Sequence, residues 1–298
     1  MPYSFRHLPG KANGLIDPKS FPPNTVLFNP SVAHPIIYIR TNLHSQTDEK
    51  NSVTLYNIET KQATQIDTPW SELVKNVNLF KGIEDLRITW YKDLLWFAGT
   101  CTHASSNMTS ELIIGYFDKS LKSVSRISQV DIGSLPVKNM SLFVENEKLY
   151  MLDVFKKTIY EITQEFGENK IFKKFVATKY KELKCGKNIN IDELRGSSAP
   201  VKLHGNTWGC IIHDIIFNDQ LSLVTRLSYL HIWMEFDFET GEVTYVSSPF
   251  WLAQWGIEYV GGFHLHNNQK NVDIYMGIND QQSIVFNTTL DDLRTGKA

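Results

Sequence analysis

The sequence has little cysteine, no excess of charge of either sign and no long apolar run. Its three cysteines among 298 residues are an odd number without a Cys-x-x-Cys spacing, which argues against a disulfide framework and a thiolate zinc site. Thirty basic and thirty-two acidic residues leave a net charge of −2, which gives no reason to expect a nucleic-acid or anionic-membrane partner. Because no apolar stretch approaches ~18 residues and the first residues lack a signal-peptide core, we expect a cytoplasmic protein with free thiols.

Convincing helix patterns are also scarce. Segment 178–194 and the tail at 290–293 each predict one short helix, too little to cover a parallel sheet. What the sequence does contain is a succession of short aromatic and β-branched runs separated by turn residues, which predicts strands. The runs group into five units of a length typical of propeller blades, roughly 45 to 60 residues. The units span approximately 26–68, 80–130, 137–177, 195–248 and 256–290.

A repeated order inside the units favours an all-β, five-bladed β-propeller over a β-sandwich, the competing all-β fold. Each unit has a polar turn, a strand, a second strand with aromatic residues and a third strand that ends in a charged hairpin, as at 59–61 and 239–242. We therefore predict a single domain over residues 1–298. Residues 1–24, rich in proline, glycine and lysine, are expected to form an N-terminal arm lying over its surface.

The polar openings of the five units occupy equivalent places in the repeat. Because the innermost strands of a propeller line its central channel, we expect these openings to converge at one mouth. Their amides, hydroxyls, carboxylates and cations suit a polyhydroxylated ligand, although the local residues of the second opening, read alone, are better explained by a loop ion pair. The openings are Phe28-Asn29-Pro30-Ser31, Glu84-Asp85-Leu86-Arg87, Lys138-Asn139, Arg195-Gly196-Ser197-Ser198 and Glu258-Tyr259-Val260-Gly261-Gly262.

In this order the openings resemble the five-bladed propellers of glycoside hydrolase family 130, the inverting β-mannoside phosphorylases, and of the related glycosyltransferase family 108. Gly82-Ile83-Glu84-Asp85-Leu86-Arg87 is similar to the pattern Gly-x-Glu-Asp-Pro-Arg, with leucine in place of proline. The aspartate of that pattern is the proton donor, so the resemblance assigns this role to Asp85, beside Glu84. It also implies that the sugar is held by Asn29, Ser31, Arg40 and Arg87.

Further segments extend the resemblance to phosphate and sugar binding. Lys138-Asn139-Met140-Ser141-Leu142-Phe143 is similar to an Arg/Lys-Asn-x-x-Leu-Phe segment whose cation and amide bind phosphate. The strand that ends at His213 resembles one whose histidine faces phosphate, and Lys156 and Arg195 are further candidate phosphate-binding cations. The segment that ends at Asp280 is similar to one whose aspartate contacts mannose, and Tyr229 is a further candidate for substrate binding.

The resemblance implies an enzyme that makes or cleaves a mannoside bond with inversion, either a phosphorylase or a mannosyltransferase that uses mannose 1-phosphate. Inorganic phosphate would be the co-substrate, with no cofactor and no metal, since His264 and His266 lack a third assigned ligand. The sequence leaves open whether the protein forms a homo-oligomer. Trp251 and Trp255 are candidates for stacking on a sugar ring.

Three alternatives remain. If water attacks instead of phosphate, an inverting hydrolase needs a second carboxylate as base, and Glu258 and Glu235 are the candidates. A nucleotide-sugar-dependent transferase is the second alternative. The third is a propeller that binds a glycan or a protein without chemistry, because a fold does not fix a function.

Overall fold

The computed structural model describes residues 6–15, 25–43, 52–66, 79–103, 110–133, 138–187, 189–196, 198–217 and 227–295. Within these ranges the strands form five sheets, and helix is limited to a 3-10 turn at Glu168–Lys170 and a short α-helix, α1, at Leu290–Arg294. The prediction of an all-β fold is therefore confirmed. No helix in this part of the chain has the length and apolar character needed to cross a membrane.

The first three sheets, which we call blades one to three, are antiparallel and have four strands in chain order. Two short strands precede them, β1 at Arg6–His7 and β2 at Lys11–Gly14. Blade one contains β3 (Thr25–Ala33), β4 (Ile36–Leu43), β5 (Ser52–Asn57) and β6 (Gln62–Ile66). Blade two contains β7 (Leu79–Tyr91), β8 (Leu94–His103), β9 (Ser110–Phe117) and β10 (Val124–Gln129). Blade three contains β11 (Ser141–Glu145), β12 (Lys148–Asp153), β13 (Thr158–Phe166) and β14 (Phe172–Glu182).

Blade four is the most elaborate sheet, because short strands add to its central antiparallel pair. That pair is β18 and β19, and β1 from the N-terminal segment joins the sheet by parallel pairing with β21. Its strands along the chain are β15 (Lys184–Cys185), β16 (Arg195–Gly196), β17 (Val201–His204), β18 (Thr207–Phe217), β19 (Leu227–Asp237), β20 (Glu242–Val246) and β21 (Phe250–Trp251).

Blade five takes its fourth strand from the other end of the chain. Its first three strands are β22 (Glu258–Leu265), β23 (Asn271–Ile278) and β24 (Gln282–Thr289). Strand β2 pairs antiparallel with β24, with Lys11 opposite Asn287 and Gly14 opposite Ile284. Part of the predicted surface arm is therefore an integral strand, because the outer edge of β24 has backbone groups that need partners.

The apolar core lies between blades, and each pair of neighbouring blades has its own cluster among the described residues. Blades one and two share a cluster that includes Tyr38 and Phe97, and similar clusters join blades two to three, three to four and four to five. In the fifth cluster Tyr275 of blade five packs with Ile37 and Ile39 of blade one. Blade-to-blade packing therefore runs round a complete circle, which confirms the five-bladed propeller.

One local prediction is wrong and two others are confirmed. The helix expected in segment 178–194 does not form, because residues up to Glu182 continue strand β14 and pair with β13, and β15 follows. Helix α1 begins where the tail helix was predicted, with the Thr289 side chain accepting a hydrogen bond from the backbone N–H of Asp292. The hairpins at 59–61 and 239–242 join β5 to β6 and β19 to β20. That residues 1–298 form one domain stays a prediction.

Candidate functional site

Three successive blades open on the same backbone feature. Asn29, Asp85 and Asn139 have φ angles of 49°, 54° and 64°, a left-handed conformation that asparagine and aspartate tolerate better than most residues. The first two lie at irregularities of the β3–β4 and β7–β8 ladders, and the third lies two residues before the start of β11. A β-bulge re-aims a side chain at the end of a regular ladder, so the sequence repeat of polar openings has a shared structural cause.

These openings surround one cavity of ≈ 360 Å³ to which all five blades contribute. Ten of the fourteen residues predicted for the site line it, and their roles stay predictions. The lining consists of Asn29 and Arg40 from blade one, Glu84 and Asp85 from blade two, Lys138 and Asn139 from blade three, Arg195, His213 and Tyr229 from blade four, and Ile257, Tyr259 and Asp280 from blade five.

One part of the cavity holds three carboxylates cross-linked by an amide and a guanidinium. The Nδ2 of Asn29 donates to the Oδ1 atoms of Asp85 and Asp280 at 3.0 and 3.2 Å. The Nη1 of Arg40 donates to the same Asp85 oxygen at 3.2 Å, while its Nη2 donates to Oε1 of Glu84 at 3.3 Å. The site thus joins blades one, two and five and fixes Asp85 from two directions.

Backbone packing holds Asn29 in this position. A Cβ atom at Gly277 would lie 2.4 Å from the Asn29 Oδ1 and 2.7 Å from its backbone nitrogen, so only glycine leaves room for this approach. Asp280 comes from the turn between β23 and β24, where it and Asn279 both have φ of 52°. Two such residues are typical of the tight hairpin turn that matches strand twist.

The charged groups in this part of the cavity, together with burial, shift the pKa values of Arg40 and Asp280. Burial acts to lower the pKa of Arg40, but the carboxylates of Asp85 and Glu84 outweigh it and raise that pKa. Burial, together with the negative charge of Asp85, raises the pKa of Asp280, which the Asn29 hydrogen bond and Arg40 oppose. Asp280 therefore holds a proton more readily than an ordinary aspartate does.

A second part of the cavity is basic. Arg195 lies opposite His213 in the β16–β18 ladder, and the His213 ring stacks on Tyr229 with centroids 4.9 Å apart. Among the described residues, neither Lys138 nor Arg195 has a carboxylate partner within ion-pair distance. These two cations face the cavity with their charge available to an anion.

His213 does not add a third positive charge at neutral pH. Burial, together with the nearby His231, Arg87 and Arg195, holds its pKa well below the ordinary value. The histidine that the resemblance places beside phosphate is therefore a neutral hydrogen-bonding group and not a cation.

Glu258, predicted as a catalytic residue, does not reach the cavity. Its carboxylate is fully buried and accepts hydrogen bonds from the backbone N–H groups of Leu252, Ala253 and Gln254 at 2.8, 2.6 and 2.7 Å. Side chains alternate along a strand, so the next residue, Tyr259, lines the cavity instead. Tyr259 stood in the quoted opening, and strand alternation was the signal that distinguishes it from Glu258.

Three other predicted residues also lie outside the cavity lining. Arg87 is buried beneath it, where Nη1 donates to the backbone oxygen of Asp85 at 2.8 Å and Nη2 to Oδ1 of Asn139 at 3.0 Å. Ser31 is buried, and Lys156 lies 3.9 Å from the Asp153 carboxylate. Arg87 therefore ties together two cavity-forming openings, which is a supporting position and not direct contact with a ligand.

Two other residues singled out in the sequence have structural surroundings. Glu235, the second candidate base, lies outside the cavity lining and accepts hydrogen bonds from Trp233 Nε1 and Arg294 Nε. Leu86, which replaces the proline of the resembled pattern, is buried in the cluster between blades one and two. Its side chain occupies the space beside Gly99, where a Cβ would lie 2.3 Å from Leu86 Cδ2.

A buried histidine next to the site predicts acid sensitivity. His231 is fully buried, its Nε2 lies 3.7 Å from Oε2 of Glu258 without a hydrogen bond, and burial lowers its pKa to about 3. Below the ordinary histidine value of ~6.5 the unfolded chain binds a proton that the folded chain excludes. We expect the free energy of unfolding to fall by ~1.4 kcal/mol per pH unit from this group as pH drops from about 6.5 towards 3.

Urea unfolding at a series of pH values measures this slope. His231→Leu should unfold with a shallower pH dependence than the unmodified protein, whereas His204→Leu, which changes an exposed histidine of β17, should keep the original slope. Equal slopes for the protein and His231→Leu would contradict the assignment.

Comparison with known proteins shows the fold at low sequence identity. No family model and no curated protein match the sequence. Among solved structures, the chain is similar to MPT-4, a mannose phosphorylase from Leishmania mexicana in complex with phosphate, with 12% identity, 98% of this chain and 95% of that chain covered, and a TM-score of 0.59.

Two further structures have the same fold. MPT-1, a GDP-Man-dependent mannosyltransferase from Leishmania mexicana, has 11% identity over 92% of this chain and 88% of its own, with a TM-score of 0.58. A member of the GH130 family of mannoside phosphorylases, described as containing glycoside hydrolases that target β-1,2 mannosidic linkages in Candida mannan, has 13% identity over 96% and 95%, with a TM-score of 0.59. The chain thus has the propeller fold of the GH130 mannoside phosphorylases and of the Leishmania mannose phosphorylase and mannosyltransferase, as its sequence motifs indicate.

Proposed function

We propose that the protein is a carbohydrate-active enzyme that makes or cleaves a mannoside bond with inversion, using mannose 1-phosphate and inorganic phosphate. The observation that carries the proposal is the pairing, in one cavity, of a carboxylate fixed by Asn29 and Arg40 with two cations, Lys138 and Arg195, that have no carboxylate partner among the described residues. Cleavage of a glycosidic bond needs a positioned carboxylate as proton donor. Binding of phosphate needs cations that are not already paired with carboxylates.

In the phosphorolytic direction, Asp85 in its protonated form gives its proton to the oxygen that bridges the mannosyl residue and the leaving sugar. An oxygen of phosphate attacks the anomeric carbon from the opposite face, and the bond to the bridging oxygen breaks with its electron pair. The products are mannose 1-phosphate of inverted configuration and the released sugar. In the reverse direction Asp85 accepts the proton of the acceptor hydroxyl while phosphate departs.

Phosphate is a nucleophile that carries its own charge, so the reaction requires no enzymic base. Arg195 offers a planar fork for two phosphate oxygens, Lys138 a point charge, and the Asn139 amide and neutral His213 hydrogen bonds. Hydrolysis would require a second carboxylate as base, and both predicted bases, Glu235 and Glu258, lie outside the cavity lining. Because Glu84 and Asp280 also line the cavity beside Asp85, the preference for phosphate over water rests on the two cations, Lys138 and Arg195.

The proposal is tested by incubating the protein with mannose 1-phosphate and a short manno-oligosaccharide and following phosphate release. Arg195→Met should raise the KM for phosphate in the phosphorolytic direction by about a hundredfold, corresponding to ~2.7 kcal/mol, because a charge-assisted bidentate contact is lost. Lys184→Met, at an exposed lysine of β15, is the matched control and should leave KM unchanged.

Other results would point to the alternatives. If phosphate is not released but sugar is transferred from a nucleotide sugar, the protein is a nucleotide-sugar-dependent transferase. Sugar release from a mannoside without phosphate would identify a hydrolase, and the absence of both turnover and sugar binding would leave a non-catalytic propeller. A cytoplasmic location, the absence of a cofactor and the oligomeric state stay proposals that fractionation, metal analysis and light scattering address.

A further inference from the structure

One side chain of the cavity lining already uses all of its hydrogen-bond donors within the protein. The amide nitrogen of Asn29 carries two hydrogens, and Nδ2 donates to Oδ1 of Asp85 at 3.0 Å and to Oδ1 of Asp280 at 3.2 Å. The amide oxygen is buried and has no hydrogen-bond partner among the described residues. Asn29 therefore bridges two carboxylates and has no donor left for a sugar hydroxyl.

The surroundings of Asn29 fix which end of its amide faces the carboxylates. A Cβ atom at Gly277 would clash with the Asn29 oxygen, so that oxygen lies against the backbone of β23. If the amide were rotated by half a turn, its oxygen would face two carboxylates and two attractive contacts would become repulsive. Asn29 is also only 4% exposed. Packing and charge thus favour the same bridging orientation.

The backbone next to Asn29 is held as closely as the amide. A Cβ atom at Gly261 of β22 would clash with the carbonyl oxygen of Pro30, so only glycine leaves room for this approach of two backbones. The bulge of blade one that carries Asn29 is therefore seated directly on blade five, which also carries Asp280. This contact keeps the amide at hydrogen-bond distance from the Asp280 carboxylate.

The bridge joins two groups whose charges affect each other. Burial and the negative charge of Asp85 raise the pKa of Asp280, and the hydrogen bond from Asn29 opposes that rise. A hydrogen bond donated to a carboxylate stabilises its ionised form. One amide therefore acts on two neighbouring carboxylates, each of which makes the negative charge of the other less favourable.

We propose that Asn29 is a positioning residue that couples the proton of Asp280 to the charge of Asp85, and that it does not bind the sugar. This inference rests on the proposed function and deepens it, because the resemblance assigned Asn29 to sugar binding. During phosphorolysis Asp85 gives its proton to the bridging oxygen and becomes negative beside Asp280. The amide donor is in place before the reaction to stabilise that charge.

The first experiment requires no turnover. The variant is Asn29→Gly, because Asn29 has a left-handed φ of 49° that glycine adopts without strain. Carbon-13 NMR follows the titration of Asp280, whose signal is the one that Asp280→Asn removes. Loss of the amide should raise the midpoint of this titration by about one pH unit. Asn146→Gly, at an exposed turn residue with φ of 48°, is the matched control and should leave the midpoint unchanged.

The second experiment measures the pH dependence of phosphorolysis. Asn29→Gly should lower kcat by about tenfold. It should also shift the alkaline limb of the kcat profile upwards by about one pH unit, since a carboxylate that loses a hydrogen-bond donor ionises at higher pH. Asn146→Gly should keep both values. A higher KM for the mannoside with an unchanged pH profile would assign Asn29 to substrate binding and overturn the proposal.

A binding measurement tests whether Asn29 touches the sugar. Calorimetry with mannose 1-phosphate compares Asp280→Asn, which keeps an oxygen that accepts hydrogen bonds, with Asn29→Gly combined with Asp280→Asn. Because the second charge is absent from both proteins, removal of the amide should change Kd by less than about threefold. A loss of about tenfold or more would show direct contact and overturn the positioning role.

The outcomes distinguish this inference from the proposed function. An Asp280 midpoint that is equal in the unmodified protein and Asn29→Gly overturns the coupling, even if phosphorolysis is observed. A midpoint that rises in Asn29→Gly, in a protein that neither cleaves a mannoside nor binds mannose 1-phosphate, supports the coupling and overturns the phosphorylase.

Discussion

Replacement of Asp85 by asparagine is expected to lower kcat for mannoside phosphorolysis by about a thousandfold, within the range that general acid catalysis contributes. Asparagine has the same shape and keeps an oxygen that accepts hydrogen bonds from Asn29 and Arg40, which donate at 3.0 and 3.2 Å. What it lacks is a proton that can be given to the leaving oxygen. Steady-state rates of mannose 1-phosphate formation measure the effect, and the KM for phosphate should stay close to its original value.

The matched control for this change is Asp93→Asn. Asp93 lies in the turn between β7 and β8, is exposed and has a left-handed φ of 58°, which asparagine adopts as readily. It should keep full activity. An Asp85→Asn protein as active as this control would remove Asp85 from the mechanism and, because Asp280 shares the Asn29 donor and has a raised pKa, would make Asp280 the next residue to test.

Replacement of Arg40 by methionine is expected to cost ~3 kcal/mol of folding stability, the lower part of the range for breaking a buried ion pair. The Arg40 side chain is 13% exposed and pairs with Glu84 and Asp85 at 3.3 and 3.2 Å. Methionine retains the apolar stem over Phe28 but leaves two carboxylates close together, with Asp280 nearby, without their cation. Urea unfolding measures the loss, and the same variant should be nearly inactive because Asp85 is no longer held.

A double-variant comparison shows whether charge is the cause. If repulsion between the uncompensated carboxylates causes most of the stability loss, Arg40→Met combined with Asp85→Asn should be more stable than Arg40→Met alone. Arg126→Met serves as control, because Arg126 is an exposed arginine that also lies over an aromatic ring, that of Phe172, and should change stability by less than about 0.5 kcal/mol. A similar loss in both single variants would show that the carboxylates do not need Arg40.

The architecture and most of the cavity lining could be predicted because the same residue types recur at the opening of each unit. A left-handed backbone conformation favours asparagine, aspartate or glycine, and this conformation recurs at Asn29, Asp85 and Asn139. Equivalent places in a repeat become neighbours around one axis. A sequence that specifies the bulges therefore also specifies which side chains meet.

Partners across the site could not be predicted, since they depend on three-dimensional placement. Arg87 is two residues from Asp85 but donates to its backbone oxygen. The Asp85 carboxylate instead accepts a hydrogen bond from Arg40 of another blade. Glu258 and Tyr259 are adjacent in the same opening, and only strand orientation decides that Tyr259 faces the cavity. Segment 178–182 has a helical composition, but pairing with β13 overrides that preference.

Strand β2 escaped prediction for a related reason, and its position has a consequence for how the chain is made. Lys11-Ala12-Asn13-Gly14 has weak intrinsic preference for a strand, and it gains its place only by pairing with β24, which is synthesised some 270 residues later. The sheet of blade five can therefore be completed only after β24 has been synthesised, by a strand that precedes blade one in the chain. Until then β2 has no partner strand, and the cavity lacks the wall that blade five contributes.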